Sequence, residues 1–391
     1  MNRNLPRGTP ERRTTPLVLA ILILLFALFT ATSHLVCAQD AKLSAAKRAQ
    51  IESAISKFMS ANNVPGLGAA VVENGQLVWS KGFGKADLEN SVPATEHTLF
   101  RLGSVSKPLT ATAAMQLWER GKLDLDAPVQ KYCPAFPQKP WPITTRELLG
   151  HFGGIRHYHP DATQDDPEIG NVKHFDDPIA AGLKFFANDP LVAQPGTKSN
   201  YSTYGYTLVG CAIEGASGKK YVDYMRENIF LPAGMTSTQA DDRFAVIPNR
   251  TRFYEKNKAG IVVNAEFLDS SYKIPGGGWI SSAEDMARFE VAILQERLVS
   301  RATRVVMWTP QKAADGSQNG YALGWGTAND NGIGEVGHTG AQQGTRTAIM
   351  LAPELRDGVV VLLNLDSVSA SDISKQLLKI VADSQAPDPK K

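Results

Sequence analysis

Ser104 and Lys107 lie three residues apart in the run Phe100-Arg101-Leu102-Gly103-Ser104-Val105-Ser106-Lys107-Pro108. On a helix that spacing puts both side chains on one face. A serine hydroxyl is a poor nucleophile until an adjacent base takes its proton. A lysine amine can be that base once desolvation or a neighbouring cation lowers its pKa toward neutrality. Pro108 fixes where the helix begins. Deep in a helix its ring clashes with the carbonyl four residues back, so it belongs in the first turn. Ser104 then stands at the helix start, where its own N–H lacks an intrahelical acceptor and can meet a developing oxyanion.

Two further segments carry compatible chemistry. In Pro195 to Tyr206, Tyr201 is a phenol that can pass a proton from nucleophile to leaving group, with Thr203 two residues on. In Gly337-His338-Thr339-Gly340-Ala341, glycine after threonine on an edge strand lets a substrate backbone approach, and the N–H of Ala341 is a candidate second oxyanion donor. Each segment alone has a plain alternative: a helix cap before a surface lysine, a turn tyrosine, a strand-end histidine. His151, His157 and His159 lack the His-Glu-x-x-His spacing of a zinc helix, so no metal site is expected. His151 reads as a packed structural histidine, the other two as loop residues near the cleft. Tyr272 and Trp279, flanking Gly276 to Gly278, could line the cleft mouth or pack inside.

The elements that must position these groups follow from periodicity and turn residues. Residues 44–63 read as an amphipathic helix with Ile51, Ile55, Phe58 and Met59 recurring at helical spacing. Leu67 to Val72 and Leu77 to Phe83 form a hairpin about Asn74-Gly75. Helices are expected over 105–121, 146–151 (capped by Thr144 or Thr145), 206–215 and 221–230. Another opens at Ser282 with a capping box closed by Asp285 and runs to about Leu294. Ala322 to Trp325, Thr345 to Leu351 and Val359 to Leu363 read as strands, and Ile373 to Ala382 as a closing helix. The expected fold is α/β in the α+β sense: one antiparallel sheet from both chain ends, flanked by helices, with a mainly helical lobe inserted. A site is expected at the junction.

The three segments, in this order and at these separations, resemble the penicillin-recognising serine hydrolases, which include class C β-lactamases, D-alanyl-D-alanine carboxypeptidases and related esterases. Gly103 to Lys107 looks like their nucleophile motif, Tyr201 to Thr203 like their Tyr-x-Asn element, and His338 to Gly340 like their Lys-Thr-Gly element. The similarity spans about residues 45 to 385, with support from Thr145 to Ile155 and Ser281 to Asp285. More narrowly, Gly154 to Tyr158, Tyr201 to Thr207, Asp269 to Lys273 and Gly276 to Gly278 look like the mitochondrial serine β-lactamase-like proteins, a subgroup described as peptidases and filament formers.

The resemblance implies an acyl-enzyme on Ser104 with Lys107 and Tyr201 as proton carriers and the N–H groups of Ser104 and Ala341 as the oxyanion hole. It also implies that Thr203, His338, Thr339 and Gly340 bind substrate, with no cofactor. Two residues depart from it. Thr203 replaces the amide of Asn with a shorter hydroxyl. His338 replaces Lys, and an unperturbed imidazole is mostly uncharged at neutral pH. Both departures point away from efficient β-lactam hydrolysis and leave peptide substrates open. Three readings compete: a peptidase or carboxypeptidase, a small-substrate esterase or amidase, and a weakly catalytic filament or scaffold, for which self-association as a homo-oligomer would be the function.

The 391 residues suffice for one large core, and a net charge of +2 without a basic stripe excludes nucleic acid as an expected partner. Arg3, Arg7, Arg12 and Arg13 precede the apolar run Leu17 to Phe29 and then Val36-Cys37-Ala38. This is the three-part layout of an export signal over residues 1–38, giving a periplasmic or extracellular hydrolase over 39–385 and a loose tail at 386–391. The alternative is a retained inner-membrane anchor. Lipid attachment at Cys37 fits less well beside Val36 and His34. Cys133 and Cys211 read as two buried free thiols, unless the fold brings them together.

Overall fold

The computed structural model describes residue 1 and residues 42–159, 168–330 and 332–382. The export or anchor segment, Cys37 and the expected tail lie outside these described residues. The described residues from 42 onward form one compact unit.

A seven-stranded antiparallel sheet is built from both ends of the unit. Its strands are β1 (Gly66–Glu73), β2 (Gln76–Asp87), β3 (Val92–Pro93), β4 (Gly326–Asp330), β5 (Ile333–Gln342), β6 (Thr345–Ala352) and β7 (Asp357–Leu363). Their order across the sheet is β3-β2-β1-β7-β6-β5-β4. The hairpin at Asn74-Gly75 forms as expected. Both residues have positive φ, 53° and 74°, and they connect the paired Glu73 and Gln76.

The central strands β1 and β7 are buried on both faces, and side-chain alternation divides their residues between two cores. Leu67, Ala69, Val71, Val359, Val361 and Leu363 face the helices α1 (Ala45–Asn62) and α5 (Ala370–Ala382). Ala70, Val72, Val360 and Leu362 face the larger core. That core also holds the helices α2 (Ser106–Glu119), α3 (Thr203–Ser217) and α4 (Ala283–Leu294). The helical lobe between β3 and β4 is therefore inserted into the sheet, as the sequence implies.

Three local expectations change. Ala322 to Trp325 is not a strand. Gly324 turns at φ 85°, its N–H reaches the Leu149 and Ala322 carbonyls, and the strand begins only at Gly326. At the start of α4, the Ser282 hydroxyl accepts from the Asp285 N–H, but the Asp285 carboxylate does not return to close a capping box. It accepts instead from the Ser237 N–H at 2.8 Å and the Thr238 hydroxyl at 2.9 Å, tying α4 to the preceding loop.

The third change is Cys133 and Cys211, which are joined as a disulfide with their Cα atoms 5.4 Å apart across 78 residues of sequence. The reading of two free thiols is thus corrected. Sequence spacing carries no information on this pairing, because α3 carries Cys211 back against the loop at Cys133 only in the folded lobe. Closing so long a loop restricts the unfolded chain, so the double substitution Cys133→Ser/Cys211→Ser is expected to cost about 2–4 kcal/mol. Urea unfolding of the oxidised wild type against this variant measures the loss.

Candidate functional site

The helix that carries Lys107 starts as expected. A 3-10 turn over Gly103–Val105 leads into α2, whose third residue is Pro108. The first bond of that turn runs from the Val105 N–H to the Leu102 carbonyl, which leaves the Ser104 N–H ahead of the hydrogen-bonded series. Gly103 has φ 51°, and a Cβ there would lie 3.0 Å from the Ala341 nitrogen. Glycine thus lets the nucleophile turn approach β5 closely, with the Ser104 and Ala341 segments side by side. From Ser106 to Leu117 every residue of α2 is buried, so Lys107 is carried into the core.

Lys107 Nζ lies 3.0 Å from Ser104 Oγ, 3.2 Å from Thr203 Oγ1 and 2.8 Å from the Gly276 carbonyl oxygen. Burial, reinforced by Lys273, drives its pKa well below the ordinary lysine value. The rings of Tyr201 and Tyr206 stand 4.7 and 5.5 Å from Nζ and favour the cation. That effect is worth about 0.5–2 kcal/mol. Removing an unpaired ammonium from water costs several, so the neutral amine wins. A neutral amine has two N–H donors and one lone pair. The Gly276 carbonyl can only accept, so it takes one donor; the second donor and the lone pair meet the Thr203 and Ser104 hydroxyls, each of which can donate or accept.

Tyr201 immediately precedes the N-cap of α3. The Ser202 hydroxyl accepts from the Gly205 N–H at 2.9 Å and donates to the Arg156 carbonyl at 2.6 Å. His151 Nδ1 accepts from the Ser202 N–H at 3.2 Å, and its ring packs 4.2 Å from that of Tyr201. His151 is thus the packed histidine that the sequence suggests, and it orients the tyrosine segment. Tyr201 is 38 % exposed and, like Ser104, lines the cleft. Desolvation of the phenol end of the side chain raises its pKa above the usual tyrosine value, so it rests protonated.

The cleft has a volume of 780 Å³ and is lined by Ser104, Tyr201, Lys273, His338, Thr339 and Ala341, among others. Strand β5 lies inside the sheet, not at its edge. Its outer neighbour β4, however, pairs only up to Gly326 opposite Gly337. From His338 onward the outer side of β5 is therefore open to the cleft. Gly340 lies against the nucleophile turn. A Cβ there would come 2.1 Å from the Leu102 carbonyl oxygen, so the glycine serves the packing of β5 on the nucleophile turn. Thr203 is 4 % exposed, with its hydroxyl at Lys107. Tyr272 and Trp279 are fully buried and do not form the cleft mouth.

His338 is held from both ring nitrogens. Nδ1 lies 2.6 Å from the Thr339 carbonyl and must donate to it, which leaves Nε2 to accept from the Tyr321 hydroxyl at 2.8 Å. Burial and the nearby Lys107 push its pKa down to about 3. Above that pH it is neutral. Replacing His338 by Gln is therefore expected to leave the shape of the kcat/KM profile between pH 5 and 8 unchanged. A limb near pH 6.5 that disappears in the variant would contradict this.

Sequence reasoning missed Tyr321, for which no local signal exists. It also gave no role to Lys273, although a lysine directly before the apolar, glycine-rich run Ile274 to Ile280 was a usable signal.

A nucleophilic alcohol, a neutral amine and a protonated phenol converging at a cleft define the class: this is a serine hydrolase. Residues 51–382 match the Beta-lactamase family. The human serine beta-lactamase-like protein LACTB, mitochondrial, is 34% identical over 382 residues, covering 75% of this chain and 70% of the human protein. Penicillin-binding protein 4* of Bacillus subtilis is 30% identical over 308 residues, covering 75% of this chain and 66% of its own length. Among solved structures, the octameric penicillin-binding protein homologue from Pyrococcus abyssi superposes with a TM-score of 0.74 at 29% identity, covering 88% of this chain and 78% of that one. The chain belongs to the β-lactamase family.

Proposed function

We propose that the protein cleaves amide bonds of peptides, or the equivalent esters, through an acyl-enzyme on Ser104. One observation carries this reading: the buried Lys107 amine, its pKa driven well down by desolvation, stands 3.0 Å from the Ser104 hydroxyl. Lys107 takes the Ser104 proton as Oγ bonds to the substrate carbonyl carbon. The oxyanion is held by the N–H groups of Ser104 and Ala341. Collapse breaks the bond to the leaving group, which receives its proton through Tyr201 from Lys107. Water then adds to the acyl carbon, gives its proton to the same pair, and Ser104 is released. Thr203 fixes the Lys107 amine, while His338 and Thr339 line the substrate path as neutral groups.

Peptides are favoured over small esters because the outer side of β5 from His338 onward is unpaired strand, to which an extended substrate can add. The resemblance to penicillin-binding proteins supports the same choice. The disulfide supports an oxidising compartment, and so export by residues 1–38 with the hydrolase over 39–385. Among the described residues no helix is long and apolar enough to cross a membrane. Self-association is a further proposal, prompted by the octameric relative.

The test sets a D-alanyl-D-alanine peptide against a p-nitrophenyl ester, with intact mass after fluorophosphonate treatment. Peptide turnover with one adduct on Ser104 is expected. Ester turnover alone would shift the reading to a small-substrate esterase. No turnover and no adduct would reject it.

A further inference from the structure

Lys273 has no part in the steps above, yet it is buried at the same cleft. It ends the turn Ser271–Lys273, which leads directly into Gly276, the carbonyl partner of Lys107. It is 4 % exposed and lines the cleft. Its Nζ stands over two rings, 5.3 Å from that of Tyr158 and 5.1 Å from that of Tyr272. Among the described residues no oxygen accepts a hydrogen bond from it and no carboxylate pairs with it.

The described carboxylates around this turn are engaged elsewhere, Asp269 with His174 at 3.0 Å and the Ser271 N–H at 2.8 Å. Asp241 holds Arg101 at 2.7 Å, and Glu168 holds Arg156 at 2.6 Å. A desolvated ammonium without a counter-ion is costly. Aimed into a cleft beside a nucleophile, such a group marks a place where a ligand supplies the charge.

The opposite end of the open strand cannot fill this role. His338 is neutral and saturated by Tyr321 and Thr339. At the other end, the Gln342 amide donates to the Ser270 hydroxyl, three residues before Lys273. A ligand lying along β5 past Ser104 thus has one end at His338 and the other at the Ser270–Lys273 turn.

We propose that Lys273 is a specificity-determining residue that binds a carboxylate on the part of the substrate lying at the Gln342 end of the cleft. The word substrate rests on the hydrolase reading, but the binding does not require turnover. The groups facing Lys273 are Arg101, Lys107, His157 and the phenols of Tyr158 and Tyr272. Burial and Arg101 hold its pKa at about 7 in the empty cleft. A bound carboxylate raises that value, so binding above pH 7 takes up a proton.

Calorimetry on the full chain carrying Ser104→Ala tests this with monomethyl glutarate against the uncharged dimethyl ester, at pH 8 in two buffers of different ionisation enthalpy. The acid is expected to bind at least about tenfold tighter, with uptake of about one proton. Adding Lys273→Met is expected to abolish both the preference and the uptake. Adding Lys273→Arg should keep the preference and lose the uptake, because a guanidinium does not titrate there. Equal binding of acid and diester, or an unchanged preference in Lys273→Met, overturns the proposal.

A kinetic arm compares glutaryl 4-nitroanilide with its methyl ester on the otherwise native chain. The acid is expected to have the higher kcat/KM, and turnover of both at equal rates counts against Lys273. If neither is hydrolysed while the binding preference holds, the anion site stands and the hydrolase reading fails.

Discussion

Replacing Ser104 by alanine is expected to lower kcat/KM by about 10³-fold or more while leaving the fold in place. The expectation follows from how little else Ser104 does. Its side chain is only half-buried and its hydroxyl meets Lys107 and Tyr201, so its loss opens no large cavity. The N–H of residue 104 survives the substitution, so the oxyanion site is retained and only the covalent step is lost. Thermal unfolding within about 3 °C of wild type would document the intact fold. Fluorophosphonate labelling should vanish with turnover. An alanine variant that turns over peptide at the native rate would remove Ser104 from the chemistry.

Lys107→Met is the second large effect, because the amine is both the base and the anchor of its neighbours. A general base contributes about 10²–10⁴-fold, and a loss in that range is expected in kcat/KM. The pH dependence carries more information than the size of the loss. In the wild type, activity should fall as pH drops through the depressed Lys107 pKa, since protonation removes the lone pair that takes the Ser104 proton. The residual activity of the variant should lack that limb.

Stability follows with a definite sign. The folded chain holds Lys107 neutral, whereas the unfolded chain protonates it below about 10.5. Between the folded value and 10.5 the unfolded state binds more protons, so this contribution to stability rises with pH and is lost as pH falls. Lys273 acts in the same direction over the window from about 7 upward. Comparing urea midpoints of wild type and Lys107→Met from pH 7 to 10 isolates the first term. The methionine variant should gain on wild type as pH is lowered. A constant difference across that range would contradict a neutral buried lysine.

What the residues encode locally, and what they cannot, separates along physical lines. Pro108 sets the first turn of α2 by sterics alone, and the hairpin at Asn74-Gly75 follows from two residues that tolerate positive φ. The Ser104/Lys107 spacing, the short apolar, β-rich runs of β6 and β7 and the cap at Thr144 are likewise short-range facts. Each is decided within a few residues, so the sequence reveals it.

The capping box at Asp285 failed for a complementary reason. The local pattern was present, but a tertiary partner at Ser237 and Thr238 offered the carboxylate better hydrogen bonds. The supposed strand Ala322 to Trp325 failed because Gly324 is drawn to the Leu149 carbonyl, a contact 175 residues away in sequence.

The sequence thus makes legible the Ser104/Lys107 pair, the candidate phenol of Tyr201 and the order of the elements that present them, because these depend on residue type and short spacing. Which groups lose water, and which line the cleft, follows from the three-dimensional packing. Lys107 loses its charge because α2 is enclosed on all sides. His338 is neutral because burial and the nearby Lys107 disfavour the imidazolium. Gly340 met the nucleophile turn, Cys133 met Cys211, and Lys273 has no counter-ion among the described residues. Desolvation and long-range pairing are properties of what surrounds a group in space, and no local run of residues carries them.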